Sequence, residues 1–238
     1  MDKKVLDEKI YYYENVMPNF DNFINTLKEL DDISSSNEDN LWYPWTSSND
    51  KDFIYGETKS FDLNRINQLQ DPLKEKMSYV YNSVIDALYN VSKDYAESLG
   101  DYDEPRLFPT FNIKKYYSGT SMGSHFDQLD GDQTLRYSLV MYLNDDCEGG
   151  EISFSIVDYD GVNQKPSTPM DFEEAKDKNA FDVGIKPKAN SIIIFPASAP
   201  YFHTAHTVKF GFKYMVPGHW IHNDMEFNKA PQSSMLSE

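Results

Sequence analysis

Between residues 107 and 216 the chain breaks into seven short segments rich in β-branched and aromatic residues, at about 107–117, 135–143, 151–157, 181–186, 191–196, 200–207 and 209–216. Turn-forming residues separate them. Segments this short cannot bury an apolar face alone, so they must pair. Several in series predict a sandwich or barrel of strands.

The first hundred residues carry a different period and read as mostly helical. Phe20, Phe23, Ile24, Leu27 and Leu30 share one helical face, with Pro18 near the start of that segment. Asp71 and Pro72 have the chemistry of an N-cap and a first helical residue. The stripe Leu73, Met77, Val80, Val84, Leu88, Val91, Tyr95 and Leu99 then runs to Gly100, a helix terminator. Such a stripe predicts core packing. Residues 32–52 read as a Ser/Asn/Asp-rich loop carrying Trp42, Tyr43, Pro44 and Trp45, an aromatic cluster expected to pack on the core.

Helices first and short strands after predict an α+β chain with a mainly β core. At 238 residues, with 39% hydrophobic and 15% aromatic content, a packed core is expected rather than disorder. Residues 1–104 are expected to form a helical support region integral to the fold, 105–222 the core, and 223–238 a frayed tail. Residues 158–180 form a long polar stretch, read either as a lid or as a disordered insertion.

A formal net charge of −17 disfavours general nucleic-acid binding. The single cysteine, Cys147, excludes an intrachain disulfide and a Cys-rich zinc site. The N-terminal residues carry no apolar signal region, and no apolar run is long enough to span a membrane. A soluble cytoplasmic protein is expected, with no membrane partner; oligomeric state is not readable.

All five histidines, His125, His203, His206, His219 and His222, fall in the strand-rich half. His125-Phe126-Asp127 places an imidazole and a carboxylate two residues apart, so on an extended segment both reach one ion. Two imidazoles and one carboxylate leave open positions on iron, the donor set of an oxygen-activating centre. Alone the motif is weak, since about one His-x-acid pair is expected by chance in a chain with 39 acidic residues and 5 histidines. His203 follows the apolar run 191–195 by eight residues. Lys213 lies ten residues further on, on the next expected strand. A lysine pointing inward there needs an anion. His206, three residues past His203, should point away from any pocket, and His219 and His222 are expected outside the metal ligands.

These fragments resemble, in order, the prolyl 4-hydroxylase-like branch of the 2-oxoglutarate/Fe(II) oxygenases. The matching stretches are Tyr116-Tyr-Ser-Gly119-Thr-Ser-Met-Gly-Ser-His125-Phe-Asp127, Ser138-Leu-Val-Met-Tyr-Leu-Asn144, Glu148-Gly-Gly-Glu151-Ile-Ser-Phe154, Ile185–Phe195, and His203 with Lys213. The resemblance implies a double-stranded β-helix, or jelly roll, with N-terminal supporting helices. It implies that His125, Asp127 and His203 ligate Fe(II), and that Lys213 and Tyr116 hold the distal carboxylate of 2-oxoglutarate. Ser138 falls where the family often places a hydroxyl for the same task. O2 would be the second co-substrate, and the resemblance admits ascorbate as a reductant.

The implied reaction is a dioxygenase hydroxylation of a C–H bond of a peptidyl proline, releasing succinate and CO2. The intact Asp127 argues for hydroxylation over halogenation. Two departures stand on the substrate side. Met122 replaces the family's second tyrosine, and Trp220 lies farther past Lys213 than usual, which predicts a bulge near Pro217-Gly218. Two rival readings stand beside this one: a superfamily oxygenase acting on a small molecule or another residue, and a non-catalytic metal- or ligand-binding β-barrel.

Overall fold

The computed structural model describes residues 1–36, 42–44, 54–56, 58–63, 66, 69, 71–101, 103–107, 111–128, 134–156 and 169–222. In chain order the elements begin with β1 (Asp2–Asp7), β2 (Ile10–Glu14), α1 (Phe20–Ser36), β3 (Trp42–Pro44), β4 (Ile54–Tyr55), β5 (Thr58–Asp62) and α2 (Leu73–Ser98). Then come β6 (Asn112–Tyr117), β7 (Ser121–His125), β8 (Leu135–Tyr142), β9 (Glu148–Gly149), β10 (Ile152–Ile156), α3 (Phe172–Asp177) and β11 (Val183–Ile185). The last four are β12 (Ser191–Pro196), β13 (Tyr201–Ala205), β14 (Val208–Phe210) and β15 (Phe212–Ile221).

Three layers result. An eight-stranded sheet runs β1-β2-β12-β8-β15-β6-β5-β3, and a five-stranded sheet runs β11-β10-β13-β7-β4. The period-2 alternation of each strand sorts its side chains. Leu139, Met141, Ile192, Ile194 and Val216 face α1 and α2, meeting Phe23, Leu27, Leu30, Met77, Val84 and Leu88 in the main core. The intervening residues Val140, Tyr142, Ile193 and Phe195 face the five-stranded sheet and pack on Ile152 and Phe154. Burying a side chain of this kind stabilises by about 1.5–3 kcal/mol.

The α+β class and the mainly β core match the sequence reading, but the double-stranded β-helix does not form. Neither sheet closes into a barrel: β1 and β3 end the larger sheet, and β11 and β4 end the smaller. The N-terminal region was expected to be mostly helical, yet it contributes β1 to β5. Four of these widen the larger sheet to eight strands, beyond what a closed jelly roll of two balanced sheets holds. β1 is largely exposed, and its Lys3 and Lys4 give the open edge the charged character that discourages further pairing.

Helix α2 carries the expected stripe, with Met77, Val80, Val84, Leu88, Val91 and Tyr95 buried. It begins after Pro72 rather than at it, and no side chain caps it. Gly100 does end it, at φ +71°. Trp42 is buried against Phe61 and Tyr214, whereas Trp45 lies outside the described residues. The 158–180 stretch is described only from residue 169, and contains α3, capped by Asp171 accepting from the backbone N–H groups of Glu173 and Glu174. The expected tail, 223–238, also lies outside the described residues. No helix among the described residues is long and apolar enough to cross a membrane.

Candidate metal and co-substrate site

His125 ends β7, and His203 lies directly opposite it on β13. Phe126 turns away from the pocket and packs edge-on against Phe202, ring centroids 5.1 Å apart. That alternation returns Asp127 to the side His125 occupies. Asp127 Oδ1 lies 3.5 Å from His125 Nε2 and 3.8 Å from His203 Nε2. One donor atom from each of the three residues lies within 4.8 Å of the others.

The surroundings aim these donors. His125 Nδ1 stands 2.7 Å from the Gly123 carbonyl. Donation from Nδ1–H there leaves Nε2 with its lone pair toward Asp127, the arrangement a metal-bound histidine requires. The ring of His203 lies 4.7 Å from that of Phe195 and 6.0 Å from that of Phe154. Burial, then the neighbouring His125, push the His203 imidazole down to about 3, so it is neutral and free to coordinate. Burial would raise the Asp127 carboxyl, but the neighbouring His203 and His125 rings hold it well below the usual carboxylate range. Two imidazoles and an ionised carboxylate, converging on one point, fit Fe(II).

A second cluster lies where Lys213 of β15 stands opposite Tyr116 of β6. Lys213 is 3% exposed. Its Nζ donates to the Gly150 carbonyl at 3.0 Å and lies 5.0 Å and 6.0 Å from the ring centres of Tyr116 and Tyr142. No carboxylate pairs with it among the described residues, and burial pushes it down to about 8. A buried ammonium among aromatic faces and a carbonyl lacks one partner, an anion. The Tyr116 hydroxyl meets Met122 Sδ at 3.8 Å, so the residue that departs from the family pattern touches the co-substrate cluster.

The Gly149-Gly150 pair now has a reason. Both have positive φ. A Cβ at Gly149 would collide with the Thr207 carbonyl, and one at Gly150 would stand 3.1 Å from Lys213 Cδ.

Ser138 is not brought to this cluster. It sits on β8 four residues from Tyr142, opposite His219, with its hydroxyl 3.3 Å from His219 Nδ1. His206 is buried and tied at both nitrogens, to Ser153 Oγ at 2.8 Å and the Met170 carbonyl at 2.9 Å. Two residues near the site escaped sequence reasoning. Tyr142 was readable only as a strand residue, and His219 only as a histidine outside the metal set. The bulge expected near Pro217-Gly218 is not there, because Pro217 and Gly218 pair in register with Val140 and Leu139; the register of β15 against β8 shifts instead between Trp220 and Ile221.

The profile described as the 2OG-Fe(II) oxygenase superfamily matches residues 111–222, a span that contains every residue named above as ligand or anchor. Over those 112 of its 238 residues the chain is similar to that superfamily. The match and the converging donors mark the chain as a 2-oxoglutarate/Fe(II)-dependent dioxygenase, with His125, Asp127 and His203 as its facial triad, and not as a non-catalytic barrel. Three solved structures share the oxygenase's fold. A Pseudomonas putida prolyl-4-hydroxylase is 14% identical, over 90% of this chain and 92% of that one, with a TM-score of 0.52. A Trichoplax adhaerens prolyl hydroxylase, solved with a hypoxia inducible factor peptide fragment, is 12% identical over 90% and 83%, TM-score 0.56. AviO1 from Streptomyces viridochromogenes is 12% identical over 96% and 100%, TM-score 0.53. No curated protein matches the sequence.

Proposed function

We propose that this oxygenase hydroxylates a C–H bond of a peptidyl proline, in the manner of a prolyl 4-hydroxylase. 2-Oxoglutarate and O2 are consumed, succinate and CO2 are released, and ascorbate serves as reductant. The observation that carries the co-substrate assignment is Lys213, a buried cation without a carboxylate partner among the described residues. Bound Fe(II) supplies the coupling of O2 activation to oxidative decarboxylation of the keto acid. The chain's own residues do the rest. His125, Asp127 and His203 hold the metal on one face. Lys213 and Tyr116 hold the distal carboxylate and so fix the co-substrate's orientation before reaction. Phe154 and Phe195, packed against the His203 ring, keep water from the ligand side.

The prolyl assignment is supported by the ordered motifs between Tyr116 and Lys213 and by a fold shared with two proteins that bear the prolyl hydroxylase name. Met122, in place of the family's second tyrosine, favours a second reading, an oxygenase of another residue or a small molecule. A panel of proline-containing peptides and free small molecules, scored by a 16-dalton mass gain with matched succinate release, separates them. Product on peptidyl proline is expected. Product only on a small molecule would replace the prolyl reading and leave the oxygenase intact.

A further inference from the structure

Alternation along β15 sends Tyr214 and Val216 toward the helices and Lys213, Met215, Pro217 and His219 toward the second sheet. His219 therefore shares the face that carries the co-substrate anchor. Its rung is set by register: Phe195 of β12, Ser138 of β8 and His219 of β15 stand side by side. Phe195 is the ring on which His203 rests, at 4.7 Å. Two strand spacings, ~10 Å of backbone, separate Phe195 from His219. His219 thus faces the same space between the sheets as Phe195, against which His203 packs.

It is nevertheless none of the three metal donors. It is also six residues from Lys213 along β15, beyond the end that holds the distal carboxylate. His219 is half-buried, whereas its partner Ser138 is fully buried. The Ser138 hydroxyl lies 3.3 Å from His219 Nδ1, so it is Nε2 that is left to face a ligand. The strand's end nearest His219 is also where a cleft of about 830 Å³ opens, lined by Gln128, Arg136, Tyr137, Pro200, Tyr201 and His222. Among these, Gln128 directly follows the ligand Asp127 in the chain.

We infer that His219, oriented by Ser138, is a substrate-binding residue whose Nε2–H donates a hydrogen bond to an amide carbonyl of the bound substrate beside the metal. The inference rests on the oxygenase reading and names the group that the pocket recognises. An imidazole N–H donor selects a carbonyl acceptor, and a peptide offers such an acceptor at every residue.

The test uses the full chain loaded with Zn(II) and 2-oxoglutarate and two small amides, N-acetylproline methylamide and N-acetylalanine methylamide. Proton NMR follows the His219 ring signals, assigned by their loss in His219→Leu. At least one amide is expected to shift them. Affinity for it should fall about five- to tenfold in His219→Leu, the scale of one lost neutral hydrogen bond, and recover in His219→Gln. A shift with the alanine amide alone would support the inference while counting against the prolyl reading. No shift with either amide would overturn it. So would a several-fold loss of 2-oxoglutarate affinity in His219→Leu, because the residue would then belong to the co-substrate.

Discussion

The Nζ of Lys213 donates 3.0 Å to the carbonyl oxygen of Gly150, and the same glycine leaves no room for a side chain beside the lysine stem. Gly150 has φ +74°, a conformation that costs an L-residue about 1–2 kcal/mol. Gly150→Ala should therefore destabilise the protein by at least that amount and push the Lys213 stem off its line. Calorimetric titration of 2-oxoglutarate into the Zn(II)-loaded variant should show weaker binding than wild type. An unchanged affinity would mean that the glycine serves the turn alone.

Lys213 also gives the site a pH dependence. Burial lowers its folded pKa from 10.5 to about 8. Below pH 8 the ammonium is intact and affinity for 2-oxoglutarate should be level. Above pH 8 the ligand must first bring a proton to the amine, so affinity should fall, approaching tenfold per pH unit. Stability of the ligand-free protein should move the other way. Between pH 8 and 10.5 the unfolded chain holds the proton that the folded chain has lost, so stability rises with pH. Lys213→Met should bind 2-oxoglutarate poorly, flatten both profiles, and melt higher than wild type without ligand. Chemical denaturation across pH 7–10.5 checks the stability arm.

The pairing of His125 with Asp127 was legible because strand alternation puts residues two apart on one side, whereas Tyr116, His203 and Lys213 were placed by the resemblance of the ordered motifs. The open sheets were not legible. β2 pairs with β12, whose residues lie more than 170 positions away, and nothing local in Ile10–Glu14 announces that partner. β1 reads Asp-Lys-Lys-Val-Leu-Asp, and a mostly exposed edge strand has no apolar alternation to detect. α3 did leave a signal, Asp171 followed by Phe-Glu-Glu-Ala-Lys, but it lay within a polar stretch read as one loop. The facing of His219 follows from the register of β15 against β8, which pairs it with Ser138 and cannot be read from spacing alone.

The metal ligands make a sharper prediction. Replacing groups that only orient a ligand typically costs 10–100-fold in metal affinity, so Asp127→Ala should cost more than about 100-fold and abolish hydroxylation. Without oxygen, Fe(II) and 2-oxoglutarate together should give the weak visible charge-transfer band of the chelate in wild type. That band should vanish in His203→Ala. In Lys213→Ala it should form only at much higher 2-oxoglutarate. Full activity in Asp127→Ala would remove Asp127 from the metal. No band in wild type with metal bound would remove the co-substrate.

His206 should behave as the opposite kind of histidine. It is buried, its Nδ1–H donates to the Met170 carbonyl, and its Nε2 accepts from Ser153. Its ring meets Phe172 of α3 edge-on at 5.1 Å. These contacts tie α3 to the strand that carries His203, yet none touches a metal ligand. His206→Ala breaks two buried hydrogen bonds and opens a cavity, so thermal unfolding should show a loss of about 2–4 kcal/mol. Burial also holds its imidazole below the ordinary value. The folded state therefore resists protonation that the unfolded chain accepts, and stability should fall as pH drops below about 6.5, the ordinary histidine value. His206→Ala should lose part of that acid sensitivity while still forming the Fe(II)/2-oxoglutarate band. Loss of the band in a folded His206→Ala protein would instead tie His206 to the metal site.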